Sequence, residues 1–153
     1  MSEQFNHDLI TGHIAEQMFG QLLLFKGITG VTFNTSEKIE QLRKYDLTYY
    51  NTNQSKAIKI EVKADAKAMQ TGNFYIECRY NDSLSGIENS EADYYSILKD
   101  DTYYVIPTSK LKELIADNNY HCIEVTDCNT FGYLVPCNDV AEYAKTICIN
   151  DYI

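Results

Sequence analysis

The sequence is poor in several residue types, and their scarcity narrows the class of protein. It has no tryptophan, 2 prolines and 7 glycines in 153 residues, which excludes a collagenous or low-complexity chain. Apolar residues make up 44% and charged residues 23%, a balance that excludes a disordered tail. At this length we expect one domain that spans residues 1–153.

The features of a membrane or secreted protein are also missing. No stretch approaches the roughly 18 apolar residues that a membrane span needs, and the N-terminus lacks the basic start and apolar run of a signal peptide. The five cysteines are odd in number and form no Cys-x-x-Cys pair, so they indicate neither a disulfide framework nor a standard zinc site. We therefore expect a cytoplasmic protein with reduced cysteines and no membrane partner.

Positive charge is scarce overall but concentrated in one segment. The chain has 13 Lys and Arg against 22 Asp and Glu, a net charge of −9, which argues against a generic basic nucleic-acid-binding surface. Residues 38–79 hold eight basic and five acidic residues, a net of +3, whereas the rest holds five basic and seventeen acidic residues, a net of −12. This segment is the part of the chain suited to a polyanion.

Hydrophobic spacing predicts the order of the elements. Apolar residues recur every three or four positions from Asn6 or Asp8 to Gly27, which predicts a long amphipathic helix. A polar helical turn or loop is predicted for 36–44 and a surface loop for 81–89. Strands are predicted for 30–35, 45–52, 57–65, 73–80 and 101–108, helices for 90–98 and 109–116, and a hairpin for 121–125 with 131–135. The predicted fold class is α/β, with a central mixed β-sheet flanked by α-helices and a C-terminal β-hairpin.

Strict alternation in the strand 57–65 places charged side chains on one face. Glu61 and Lys63 point the same way, and the same parity puts Asp46 and Glu77 on matching faces of the neighbouring segments. If the segments 45–52, 57–65 and 73–80 pair as a meander, these four side chains converge on one patch of sheet. The alternatives are a solvated edge strand for Glu61 and Lys63, and a surface ion pair with Arg79 or Lys59 for Glu77.

Gathered carboxylates favour a bound cation, because like charges at ~4 Å repel by ~4 kcal/mol at an effective dielectric near 20. Hard oxygen ligands without nearby Cys or paired His favour Mg²⁺ or Mn²⁺ over Zn²⁺. Such a metal suits phosphodiester hydrolysis, with Lys63 placed to orient the attacking water or to neutralise developing charge. Glu16 lies on a helix face with two glycines, so it is predicted to approach the sheet and to bind the metal or Lys63.

These residues resemble a known nuclease family. Asp46, fourteen intervening residues and then Glu61-Val62-Lys63 at the end of a strand, preceded by a helix with Glu16, look like the core of the PD-(D/E)XK nucleases. That family includes many restriction endonucleases and Holliday junction resolvases. The resemblance covers residues 7–108 or so. Tyr45 stands where the family name has a proline.

The resemblance implies a restriction endonuclease-like core and a role for each site residue. Asp46, Glu61 and the main-chain carbonyl of Val62 would be metal ligands, with Glu16 and Glu77 as further candidates. Lys63 would be the catalytic lysine, and the catalytic set would be Glu16, Asp46, Glu61 and Lys63.

The predicted function is a Mg²⁺-dependent endodeoxyribonuclease, with Mn²⁺ able to substitute, that acts on branched or duplex DNA. A Holliday junction resolvase-like homodimer is the favoured form, because two cuts require two active sites. The alternatives are a non-catalytic nucleic-acid-binding module on the same scaffold and an acidic protein-interaction module.

Overall fold

The computed structural model of the protein describes residues 3–34, 45–51 and 56–152. Within these ranges the chain forms four α-helices, which are α1 (Glu3–Phe25), α2 (Ala68–Thr71), α3 (Thr108–Asp117) and α4 (Cys137–Tyr143). It also forms ten strands, which are β1 (Thr32–Phe33), β2 (Leu47–Asn51), β3 (Lys56–Ala64), β4 (Asn73–Tyr80), β5 (Ser83–Leu84), β6 (Tyr94–Lys99), β7 (Thr102–Pro107), β8 (Cys122–Val125), β9 (Thr130–Pro136) and β10 (Lys145–Cys148). The segment 36–44, predicted as a polar turn or loop, lies outside the described residues.

The first sheet carries the strands that hold the candidate site. In the described part of the chain it has the order β1-β2-β3-β6-β7-β10. Strands β2 and β3 pair antiparallel, with Leu47 opposite Ile60, and β3 pairs parallel with β6, with Glu61 opposite Tyr95. The sheet is therefore mixed, as the sequence predicts, and β3 is an internal strand.

A second sheet has the order β5-β4-β9-β8 over the residues that the structure describes, and it is antiparallel. The predicted C-terminal hairpin is confirmed as β8 and β9, in which Glu124 lies opposite Phe131. Strand β4 pairs with β9, from Asn73 opposite Pro136 to Tyr80 opposite Thr130. The predicted meander of three neighbouring strands is therefore wrong, because β4 belongs to this second sheet.

Helix α1 covers one face of the first sheet. Its buried residues Ala15 and Phe19 belong to one apolar cluster with Ile60 and Val62 of β3 and Tyr103 of β7. The Tyr103 hydroxyl donates a 2.8 Å hydrogen bond to the Ala15 carbonyl, and its ring lies 5.1 Å from that of Phe19. The predicted long N-terminal helix is confirmed, and its apolar side packs against Ile58, Ile60 and Val62 of β3.

A second apolar cluster joins the opposite face of the first sheet to the second sheet. It includes Tyr95 and Ile97 of β6, Phe74 and Ile76 of β4, and the inward residues of α3 and α4 such as Leu111. Glu61 and Lys63 point to this side, because they alternate with the residues that face α1.

The predicted helix at 90–98 is wrong, since residues 94–99 form β6. The Ser90 hydroxyl accepts the N–H of Ala92 at 3.1 Å, which makes a local turn instead of a helix cap. Asp93, the other half of the predicted cap, accepts the backbone N–H of Lys59 through Oδ2 at 2.8 Å. The polar residues that suggested a helix start therefore fix the turn that leads into a buried central strand.

Candidate active site

Asp46 is hydrogen-bonded to the two residues of β3 that flank Glu61. Its backbone N–H donates to the Ile60 carbonyl at 2.8 Å, and its carboxylate Oδ2 accepts the N–H of Val62 at 2.7 Å. The residue is only 8% exposed. A buried carboxylate requires such a donor, and this one places the Asp46 oxygens beside the Glu61-Val62-Lys63 segment.

Glu61 and Lys63 form an ion pair on the face of β3 that points away from α1. Lys63 Nζ lies 3.0 Å from Glu61 Oε1, with the Glu61 side chain 14% exposed and that of Lys63 45% exposed. The Glu61 carboxylate raises the pKa of Lys63 above its usual range, and Asp46 adds to the shift against the opposing effect of burial. Lys63 is therefore charged at neutral pH, and it lies within electrostatic range of both carboxylates.

Tyr95 is a further member of the site that sequence reasoning missed. It lies directly beside Glu61 in the parallel ladder of β3 and β6 and is 2% exposed. Burial raises the pKa of its hydroxyl and the Glu61 carboxylate raises it further, whereas the Lys63 charge and a hydrogen bond with Ser90 oppose the shift. The β-forming composition of residues 94–98 was the available signal, because Tyr and Ile favour strands.

The Val62 carbonyl lies on the edge of β3 that faces Asp46. Carbonyls two residues apart in a strand point to the same edge, and the Ile60 carbonyl accepts the N–H of Asp46. The structure thus brings together Asp46, Glu61, Lys63 and the backbone of Val62, four of the predicted positions.

Glu16 and Glu77 lie on other elements. Glu16 is on α1, the helix that covers the opposite face of the sheet, and its Oε2 lies 3.7 Å from His13 Nδ1. Glu77 is on β4 in the second sheet, where its carboxylate accepts the Ser85 hydroxyl at 2.8 Å. The expectation that Glu77 reaches the site from a neighbouring strand of the same sheet is wrong, although its charge is among those that raise the Tyr95 pKa after burial and Glu61.

The donor set beside β3 fits a hard divalent cation. Two carboxylates and a backbone carbonyl offer oxygen ligands only, and Mg²⁺ commonly takes one or two carboxylates while keeping water or substrate phosphate. A closed structural metal site needs several His, Cys, Asp or Glu side chains close together. In the described ranges no group of three or more such side chains is found. A carboxylate has about four lone-pair positions, so one that accepts a hydrogen bond or joins an ion pair can also bind a metal.

No family model matches the chain, and neither a curated protein nor a solved structure is significantly similar to it. What the chain does must therefore be argued from its own geometry. Of the helices that the structure describes, none is long and apolar enough to cross a membrane.

Proposed function

We propose that this protein is a Mg²⁺-dependent endonuclease that hydrolyses phosphodiester bonds in DNA. The observation that carries the proposal is the 2.7 Å hydrogen bond from Val62 N–H to Asp46, which joins the aspartate to the strand that presents Glu61 and Lys63. Two carboxylates and an ammonium group at one strand end form the reacting set that metal-assisted hydrolysis requires.

Asp46, Glu61 and the Val62 carbonyl would hold the metal, which when bound supplies charge stabilisation to the phosphate and acidity to a water. Lys63 then has two tasks that its position supports. Its ammonium group donates hydrogen bonds that orient the attacking water, and its charge stabilises the extra negative charge on the phosphate in the transition state. Its raised pKa keeps it in the charged form needed for both.

The fold supports a restriction endonuclease-like core of the PD-(D/E)XK type only in part. Helix α1, the antiparallel pair β2 and β3 and the parallel neighbour β6 form a mixed sheet with a helix on one face. Strand β4 in a second sheet, and a strand where a helix was expected, depart from the predicted arrangement. The proposal therefore depends on the site and not on the whole topology.

Branched DNA is the proposed substrate class, with a homodimer as the active form. One chain carries one reacting set, and symmetric incision of both strands requires a second copy related by a twofold axis. Comparing cleavage of a four-way junction with that of a matched linear duplex tests this part, and equal rates would contradict it.

The central experiment compares wild-type protein with Glu61→Gln and Lys63→Met in Mg²⁺ or Mn²⁺, using linear, branched and single-stranded DNA and RNA. We expect each substitution to lower the cleavage rate by about 100-fold or more, because each removes a charge from the reacting set. Lys67→Met, an exposed lysine that follows the strand, is the matched control and should keep its activity. Circular dichroism checks that every variant is folded.

Two outcomes would contradict the proposal. One is a wild-type protein that cuts none of these substrates with either metal. The other is calorimetric titration with Mg²⁺ that shows no binding dependent on Asp46, which would favour a non-catalytic module on this scaffold.

A further inference from the structure

Lys59 shares the polar face of β3 with the proposed reacting residues. Alternation along the strand puts Lys59, Glu61 and Lys63 on one face, and two residues along a strand advance by roughly 6.6 Å. Lys59 is therefore one step before Glu61, on the side away from Lys63. A polyanion laid along this strand would meet an ammonium group on each side of Glu61.

The backbone of Lys59 is fixed by Asp93. The Lys59 N–H donates to Asp93 Oδ2 at 2.8 Å, and the Asp93 N–H donates to the Lys59 carbonyl at 2.7 Å. Both backbone polar groups of Lys59 are thus bound to one residue of the segment that leads into β6. This contact fixes where the side chain leaves the strand, as a preorganised binding group requires.

The side chain of Lys59 lies against the ring of Tyr45. Its Nζ lies 5.2 Å from the centroid of the Tyr45 ring, within the range of a cation–π contact, and Tyr45 directly precedes Asp46. Lys59 is half-buried. An ammonium group on an aromatic face has three N–H donors, and those that point away from the ring are available to an anion.

We propose that Lys59 binds a DNA phosphate adjacent to the scissile one, with Tyr45 and Asp93 holding it in position. The inference rests on the proposed nuclease function and assigns substrate binding to Lys59, while Asp46, Glu61 and Lys63 carry the chemistry. Lys59 is thus a substrate-binding residue that contacts the DNA backbone and does not read its base sequence.

The test measures DNA binding without cleavage, using a labelled four-way junction in EDTA over a range of salt concentrations. Lys59→Gln should weaken binding by about fivefold to tenfold in about 0.1 M salt and lower the slope of log K against log[salt] by about one, because one phosphate contact is lost. Lys56→Gln is the matched control, since it removes the same charge from the same strand at an exposed position of the opposite parity. It should leave the slope unchanged.

Cleavage kinetics and a conservative variant separate binding from folding. Lys59→Gln should raise KM with little change in kcat, and Lys59→Arg, which keeps the charge and the ring contact, should restore the salt slope. Equal slopes and equal KM values for Lys59→Gln and Lys56→Gln would overturn the inference. Failure of the wild type to cut DNA would instead overturn the proposed function, and the binding data in EDTA distinguish the two results.

Discussion

Asp46 shows how one buried carboxylate organises the site. Its hydrogen bonds to Ile60 and Val62 occupy the backbone groups on both sides of Glu61, where β2 has not yet begun. A side-chain oxygen thus takes the place of a ladder carbonyl, which explains why an aspartate can be buried here. The strand end is ordered by the same group that is proposed to bind the metal.

Lys63 should oppose metal binding even though it is required for cleavage. Its ammonium group lies 3.0 Å from Glu61 Oε1 and is also attracted by Asp46, so it neutralises part of the charge that attracts a cation. We predict that Lys63→Met binds Mg²⁺ several-fold more tightly than the wild type, because unit charges at ~4 Å interact by ~4 kcal/mol at an effective dielectric near 20 and part of this is lost to solvent screening. Isothermal titration calorimetry with Mg²⁺ measures the change.

The control for this prediction is Lys67→Met, which removes a charge from an exposed residue just after β3. It should change Mg²⁺ affinity by less than about twofold because exposed charges are screened. Weaker binding by Lys63→Met than by the wild type would contradict the prediction and would assign Lys63 a direct role in holding the metal site together.

At the level of elements, β2 and β3 could be predicted because the residues within and between the two strands show both the alternation of a strand and the closeness of its partner. Residues 58–65 alternate between apolar and polar without interruption, so the face that carries Glu61 and Lys63 follows from periodicity alone. Only residues 52–55 separate β2 from β3 in the sequence, and the two strands pair antiparallel. The convergence of Asp46, Glu61 and Lys63 was accordingly predictable.

Strands β4 and β6 could not be placed in the same way. Strand β6 is central and parallel to β3, so its residues 95–97 are all buried and show no alternation with a polar face. In addition, the spacing of Ser90 and Asp93 is the same as that of a helix cap. Strand β4 alternates correctly, but alternation does not reveal its partner. Apart from a two-residue pairing with β5, its partner is β9, which lies far along the chain and begins only at Thr130. Tyr95 was missed as a consequence of the first error, and the predicted position of Glu77 failed because of the second.

Two similar units make up much of the second half of the chain. Strands β6 and β7 followed by α3, and β8 and β9 followed by α4, are each an antiparallel hairpin that leads directly into a helix. The chain's two prolines, Pro107 and Pro136, stand at the same point of each unit with ψ of 133° and 132°. The next residue, Thr108 or Cys137, is buried in both. This likeness appears only once the strands are paired, because the two segments have few residues in common.

Gly86 fixes the turn that covers Glu77, and its replacement should be costly. Its φ is +51°, and a Cβ placed there would lie 2.0 Å from the Glu77 carbonyl oxygen. We predict that Gly86→Ala lowers the free energy of unfolding by about 3 kcal/mol, because the backbone is strained and the strand beneath must move. Urea unfolding followed by circular dichroism measures the loss.

The matched comparison for Gly86 is Gly72, which follows α2. It also has a positive φ, of +74°, but a Cβ added to it would meet nothing within 4 Å among the described residues. Gly72→Ala should therefore cost only about 1 kcal/mol, the strain of the left-handed conformation. Equal losses for the two variants would show that steric overlap with β4 does not contribute.

Over the whole molecule, the first sheet lies between two apolar clusters. Both clusters contain weakly acidic side chains, tyrosine hydroxyls and a cysteine thiol, that stay protonated in the folded chain. Burial raises the pKa of Tyr103 in the cluster beneath α1 and of Tyr95 in the cluster against the second sheet. Burial, with a further contribution from Cys122, raises the pKa of Cys78 from 9.0 to about 11. The ionised forms of these groups are unfavourable in the folded chain because both clusters exclude water.

This distribution predicts that the protein loses stability at alkaline pH in stages. Each group keeps its proton in the folded chain at pH values where the unfolded chain has lost it. The contribution of these groups to the free energy of unfolding is therefore complete below about pH 9 and falls as pH rises. The loss should begin with Cys78 between about pH 9 and 11 and continue as the tyrosines titrate. Urea unfolding at about pH 8, 9.5 and 11 measures it, and Cys78→Ala should flatten the change between about pH 9 and 11 although its small cavity lowers stability at about pH 8. A midpoint that stays constant across this range in the wild type would show that these groups reach water in the native protein.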